Sequence, residues 1–152
     1  MSRCWFFASN PARYHWDTLF VKGKELWNAL RGPSAQRYLR QVRKHDKVIC
    51  YHGAPDRLVY ALAQAACDAY PDPRHAGWLR NYIVDLKAVQ RLPRVVPLKE
   101  LKLNRALRRM KFLGQPGLAV SPLTQAEYYE ILRLAGIEPP LVLPESFPGG
   151  RR

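Results

Sequence analysis

The chain has 152 residues, 47% of them hydrophobic, enough for one domain with its own core and too apolar to be disordered by composition. Its 25 basic residues against 12 acidic give a formal charge of +13, which points to polyanionic partners such as DNA, RNA or an anionic membrane face. No apolar run approaches a membrane span, and Trp5-Phe6-Phe7-Ala8 is too short for a secretory core, so a cytoplasmic protein is expected.

Residues 4–8 are short, apolar and aromatic and predict a buried strand that Ser9-Asn10-Pro11 breaks. Tyr14, Trp16 and Leu19 fall in a turn-rich stretch with no regular period. Lys24 to Leu30 allows one or two helical turns, with Leu26, Trp27 and Leu30 on one face. After Gly32-Pro33-Ser34, a helix is predicted from about Ala35 to Arg43, burying Ala35, Leu39 and Val42. Arg37, Arg40, Arg43 and Lys44 lie mainly off that face. Lys47 to His52 reads as a strand with Val48, Cys50 and His52 on one side. Leu58 to Ala69 is divided: its alanines favour helix, its flanking turns a hairpin strand.

Tyr82 to Val89 alternates with period two, as a half-buried strand does. Pro97 opens a short helix, Asn104 caps another carrying Ala106, Leu107 and Met110, and Gly117 to Val120 suggests a short strand. Thr124 and Glu127 form a capping box for a helix with Tyr128, Ile131, Leu132 and Ala135 on its apolar stripe, stopped by Gly136. Residues 138–152 are a Pro/Gly-rich tail ending in Arg151-Arg152, outside a domain of residues 1–137. Short strands mixed with short helices define an α+β class with a small curved or closed sheet.

Catalytic signatures are sparse. His15, His45, His52 and His75 lie far apart, and zinc-protease, nucleophile-elbow and Walker motifs are absent. Cys4, Cys50 and Cys67 contain no C-x-x-C pair and read as reduced, buried thiols. Cys50 and His52 share a strand face, so a cysteine–histidine dyad acting on nucleic acid is an alternative to a binding role, as is a protein-interaction domain with a vestigial pocket. No cofactor and no metal is expected.

Binding has more support. Four Trp and eight Tyr stand in a strongly basic chain, the composition that grips unstacked bases on aromatic faces while cations hold phosphates. Trp27, just before a polar turn with Arg31, is expected to line a rim rather than a core. Ser9 and Asn10 offer polar groups for a base edge. Arg37, Arg40, Arg43 and Lys44 are the candidate phosphate contacts, and Arg105, Arg108, Arg109 and Lys111 form a second basic cluster.

Several segments, in order, resemble the EVE domain family of the PUA-like superfamily, related in fold to YTH domains. Trp5-Phe6-Phe7-Ala8-Ser9-Asn10-Pro11 resembles Y-W-L-x-K-S-E-P, with Ala8 for Lys and Asn10 for Glu. Tyr14 to Leu19 is similar to Y-S-W-D-D-L, and Trp27 to Arg40 to W-D-G-V-R-N-Y-Q-A-R-N-x-L-R, departing at Asn28, Gly32, Pro33 and Gln36. Lys47 to Gly53 resembles D-x-V-x-F-Y-H-S with Gly53 for Ser. Ala69 to Pro73 matches A-Y-P-D-P, Tyr82 to Leu86 is similar to W-x-V-D-V, and Leu118 to Thr124 to R-L-S-V-x-P-V-T. The resemblance implies a PUA-like small β-barrel ringed by short helices, and makes Leu58–Ala69 a strand. It implies a non-enzymatic reader that seats a base of DNA or RNA, one carrying a modification such as a methylated or hydroxymethylated cytosine. The pocket it implies comprises Ser9, Asn10, Trp27, Arg31, Tyr51, His52 and Ser121.

Overall fold

The computed structural model describes residues 2–27, 33–74, 81–115 and 117–138. Arg31 and Gly32, the tail beyond 138, and Trp78 and His75 lie outside these residues.

Strand β1, Cys4–Ser9, is buried nearly throughout, as its aromatic sequence demands. The turn-rich stretch after it contains a helix, α1, Asp17–Lys22. One and a half turns are too few to display a period, so tertiary anchors decide it. The Trp16 backbone N–H donates to His52 Nε2 at 3.0 Å, and the Trp16 indole N–H donates to the Tyr51 carbonyl at 3.0 Å. Gly23, at φ +79°, ends the helix in a conformation that glycine adopts without strain.

The segment expected to be helical from Lys24 is strand β2, Lys24–Trp27. It pairs antiparallel with residues 84–87, and that partner, distant in sequence, overrides the local pattern. Helix α2 spans Pro33–Leu39, shorter than expected; Gln41 and Val42 bond back in tight i→i−3 fashion instead. Strand β3, Lys47–His52, is as expected. Strand β4, Leu58–Ala65, settles the divided segment in favour of strand, and Tyr70–Pro71 is the two-residue β5. Strand β6, Tyr82–Pro97, runs well past Val89. Its pairing with β4 jumps from Ala61↔Arg91 to Val59↔Val96, and Pro93, which has no N–H to give, sits in that irregularity.

Helix α3, Leu98–Leu103, follows Pro97 directly. The Asn104 side chain accepts from the Ala106 N–H, but caps only a 3-10 turn, Arg105–Leu107; α4, Lys111–Gly114, is separate. Strand β7 is Val120–Leu123, three residues later than the sequence suggested, because its pairing with β1 begins at Val120↔Phe7. Helix α5, Gln125–Leu134, carries both bonds of the capping box: Glu127 N–H to Thr124 Oγ1 at 3.0 Å and Thr124 N–H to Glu127 Oε1 at 2.9 Å. Gly136 closes it at φ +83°, with Gly136 N–H on the Arg133 carbonyl and Ile137 N–H on that of Leu132.

The strands form one mixed sheet in the order β2-β6-β4-β3-β1-β7, with β5 added to β6. Strands β1 and β3 are parallel, the other pairs antiparallel. Among the described residues the sheet runs from β2 to β7 without closing, and it does not confirm a barrel. The fold is α+β. No described helix is long and apolar enough to cross a membrane.

Alternation along the strands builds two apolar layers. Trp5, Phe7, Val48 and Cys50 face one side, where Trp16, Leu19, Trp27 and Leu39 cover them. Cys4, Phe6, Ile49 and Tyr51 face the other, under Leu101, Phe112, Ile131 and Leu132.

Candidate nucleic-acid interface

Parallel pairing puts the last residues of β1 and β3 side by side, in register Ala8↔Tyr51 and Ser9↔His52. A cavity of about 370 Å³ opens at these strand ends, on the Phe6 side of the sheet. Its floor is Ala8 with Tyr51, and the aromatic wall is completed by Phe112. The two rings stand 4.9 Å apart, edge to face. Leu98 and Leu113 add apolar surface, while Asn10, Arg57 and Lys102 supply polar groups around the opening. Burial pushes the Tyr51 phenol up, and the Arg57 charge pulls it partly back. Gly53 also lines the cavity; a Cβ there would meet the Ser9 carbonyl at 3.7 Å, an ordinary contact. Crowding does not demand glycine at 53. Its effect is to leave the cavity wider.

The sequence-derived pocket residues divide between the two sides of the sheet. Tyr51 lines the cavity, and Asn10 does so at its edge. Ser9 also borders it, but its hydroxyl is spent on the Tyr14 carbonyl at 2.6 Å. Ser121, opposite Phe6, faces the same layer, fully buried, and its hydroxyl has no hydrogen-bond partner among the described residues. Trp27 and His52 lie on the other side. Trp27 is not on a rim: it is 2% exposed, stacked on Phe7 at 4.4 Å and on Trp16 at 5.6 Å. Pairing of β2 with β6 draws the indole inward, and its N–H has no partner among the described residues. Arg31 falls outside the described residues.

His52 is fully buried. Its Nε2 accepts from Trp16, so the neutral ring carries its proton on Nδ1, which has no hydrogen-bond partner and stands 3.8 Å from Asp56 Oδ2. Burial, with the neighbouring His15, lowers its pKa to about 4. The ring lies 4.3 Å from that of His15 and 4.8 Å from that of Tyr60. His15, His52 and Asp56 thus converge as a set that could in principle ligate a metal. The hydrogen bonds argue against it. His15 Nδ1 accepts from the Asp17 N–H as His52 Nε2 does from Trp16, so each neutral ring has already used its one lone pair.

Cys50 and His52 do share a face, yet they do not make a dyad. Cys50 is completely buried with its thiol pushed well up, far from the thiolate that nucleophilic chemistry needs. His52 has no lone pair left to act as its base.

The predicted phosphate contacts sit elsewhere. Arg37, Arg40, Arg43 and Lys44 are exposed, at or after α2 and before β3 begins. The cavity lies where β3 ends, five residue steps away, roughly 17 Å. Arg40 packs its guanidinium over Tyr82 at 4.6 Å, and Arg43 folds back onto the carbonyls of Arg40 and Val42. The cavity lining also includes Phe112, Arg57 and Lys102, which the sequence alone did not place there. They come from three separate segments that meet only in the fold.

A mixed sheet with parallel β1 and β3 is framed by short helices and opens at the ends of those strands into an aromatic, cationic cavity. The EVE domain family model matches residues 3–134, and the chain belongs to that family. A protein of Agrobacterium tumefaciens has the same fold with a TM-score of 0.85 and 30% identity, over 91% of this chain and 97% of that one. Mouse thymocyte nuclear protein 1 is 27% identical over 91% of this chain and 76% of its own length. The human THYN1 protein, in a crystal structure of its complex with 5-methylcytosine containing DNA, superposes with a TM-score of 0.80 at 23% identity, over 91% of this chain and all of that one. At that identity the likeness is one of fold.

Proposed function

We propose that the chain is a non-enzymatic nucleic-acid-binding module that seats a modified base of DNA or RNA in the cavity at the ends of β1 and β3. The observation that carries this reading is the cavity itself: about 370 Å³, walled by Tyr51 and Phe112, edged by Asn10 and bordered by cations. Its volume admits a nucleobase with part of its sugar, and pockets of this size are of the ordinary ligand-binding class. Aromatic walls suit the π-face of a base taken out of its stack. The apolar floor at Ala8 suits a methyl substituent better than a charged one. The net charge of +13 supports a polyanionic partner, and the DNA complex of the human fold relative supports the choice of a modified base.

The reading is tested by fluorescence-anisotropy titration of the full chain with oligonucleotides carrying one 5-methylcytosine or one cytosine, at two salt concentrations. Tighter binding of the modified strand is expected at both. Equal affinity for the two at every salt would refute it. A second reading seats the base against Trp27, whose buried N–H lacks a partner among the described residues. There a Trp27→Phe change abolishes the modification preference, whereas a base in the cavity leaves the preference intact.

A further inference from the structure

We propose that Arg57, Lys99 and Lys102 form a phosphodiester-binding track at the mouth of the cavity, holding the nucleic-acid backbone beside a seated base; the assignment rests on the base-seating reading above. A second hollow of about 500 Å³ adjoins the cavity, sharing Arg57, Leu98 and Lys102 with it and continuing over Lys99 and Leu103. The two hollows lie side by side, the first walled by aromatic rings and the second bordered by cations. A nucleotide has the same layout, a flat base joined through a sugar to charged phosphates.

Charge pairing separates these three cations from their neighbours. Arg91 is tied to Asp17 at 2.8 Å, and Arg94 to Glu100. Arg57, Lys99 and Lys102 are exposed and have no carboxylate within ion-pair distance among the described residues. The one acid lining the second hollow, Asp56, stands 3.8 Å from His52 Nδ1. Lys99 and Lys102 are three apart on α3 and so project from neighbouring positions of one helix face.

Arg57 is also held in place. It adopts φ +49°, a left-handed conformation that is uncommon for a residue with a side chain. Its N–H donates to the Gly53 carbonyl at 3.1 Å, and its carbonyl accepts from the Leu98 N–H at 2.9 Å. The backbone is pinned from both sides, which keeps the strained residue between the floor of the cavity and the start of α3. Strain retained by such pinning is typical of residues with a binding task.

Salt dependence reads the track directly, because each phosphate that the protein no longer neutralises lowers the magnitude of the log K against log salt slope by about 0.9 on duplex DNA. The probe is a duplex with one 5-methylcytosine, beside its unmodified counterpart, titrated against the full chain. Combined Arg57→Gln, Lys99→Gln and Lys102→Gln is expected to lower the slope by about 2 to 3, and Lys102→Gln alone by about 1. Combined Arg37→Gln, Arg40→Gln and Lys44→Gln is expected to change it by less than about 1. Arg57→Lys, which keeps the charge, should leave the slope near the wild-type value. Circular dichroism and thermal melts confirm that each variant is folded, and the single lysine variant keeps the test intact if the triple variant is not. An unchanged slope in both track variants, with the modification preference intact, overturns the track and leaves the base seat standing. No preference in the wild-type protein, whatever the slopes, overturns the base seat and with it the assignment of these cations to flanking phosphates.

Discussion

Two aromatic clusters lie back to back across the sheet, and they are built for different ends. On one side Phe7, Trp16 and Trp27 stack in a closed layer, and the Trp16 indole is fixed to the Tyr51 carbonyl. On the other, Phe6, Tyr51 and Phe112 pack at centroid distances of 4.7 to 5.2 Å, but the layer stops short at the strand ends and opens into the cavity. Tryptophans make the more obvious stacking platforms, yet Trp5, Trp16 and Trp27 are consumed by the core. Stacking power counts for recognition only where the fold leaves a face uncovered.

The largest effect that should separate the clusters is Trp16→Ala. Trp16 is fully buried and its indole N–H donates to the Tyr51 carbonyl, a bond that alanine cannot make, so about 3–5 kcal/mol of stability should be lost. Urea unfolding measures this, and the folded fraction should keep its preference for the modified base. A lost preference in folded protein would merge the two clusters into one site.

His52 provides the next test, on the closed side. Its folded pKa of about 4 lies below the ordinary histidine value, so the native state holds it neutral while the unfolded chain takes up the proton more readily. The stability due to the neutral ring is therefore complete above about pH 6.5 and is lost as pH falls towards about 4, some 3 kcal/mol in all. Carboxylates such as Glu130, held down to about 2 by Arg133, act lower on the scale. Unfolding measured across that window should show the slope in the wild-type protein and a flatter profile in His52→Gln. Equal slopes in the two proteins would place the titrating group elsewhere.

On the open side, Phe112→Leu keeps apolar volume and removes the flat face. Nucleic-acid affinity should fall about 10-fold, within the range of about 1–3 kcal/mol for a stacked base, with a smaller change in stability. Trp27→Phe, a large-to-small change in the closed core, should cost stability and leave the affinity near the wild-type value, and the pair of variants decides on which side of the sheet the base sits. The smallest effect lies outside both clusters: Thr124→Ala removes the capping box of α5 and should cost about 1 kcal/mol in thermal stability without changing binding.

Local chemistry was legible in the sequence wherever a few adjacent residues decide the outcome. The Thr124–Glu127 capping box, the stop at Gly136, the buried first strand and the alternation from Tyr82 all depend on interactions within a turn or a strand. The family was legible too, because its motifs keep their order along the chain. The surplus of positive charge belongs to composition and needs no fold.

What only the tertiary structure decided is what pairs across the sheet. Lys24–Trp27 became a strand because β6 runs beside it, and Asp17–Lys22 became a helix because Trp16 is anchored to β3. Adjacent residues Tyr51 and His52 went to opposite layers, since side chains alternate along a strand, so one reaches the cavity and the other closes against Trp16. The conspicuous basic run from Arg37 to Lys44 was left at the far end of β3. The cations that border the cavity are instead Arg57 and Lys102, far apart in the chain and joined only by the meeting of a turn with a helix.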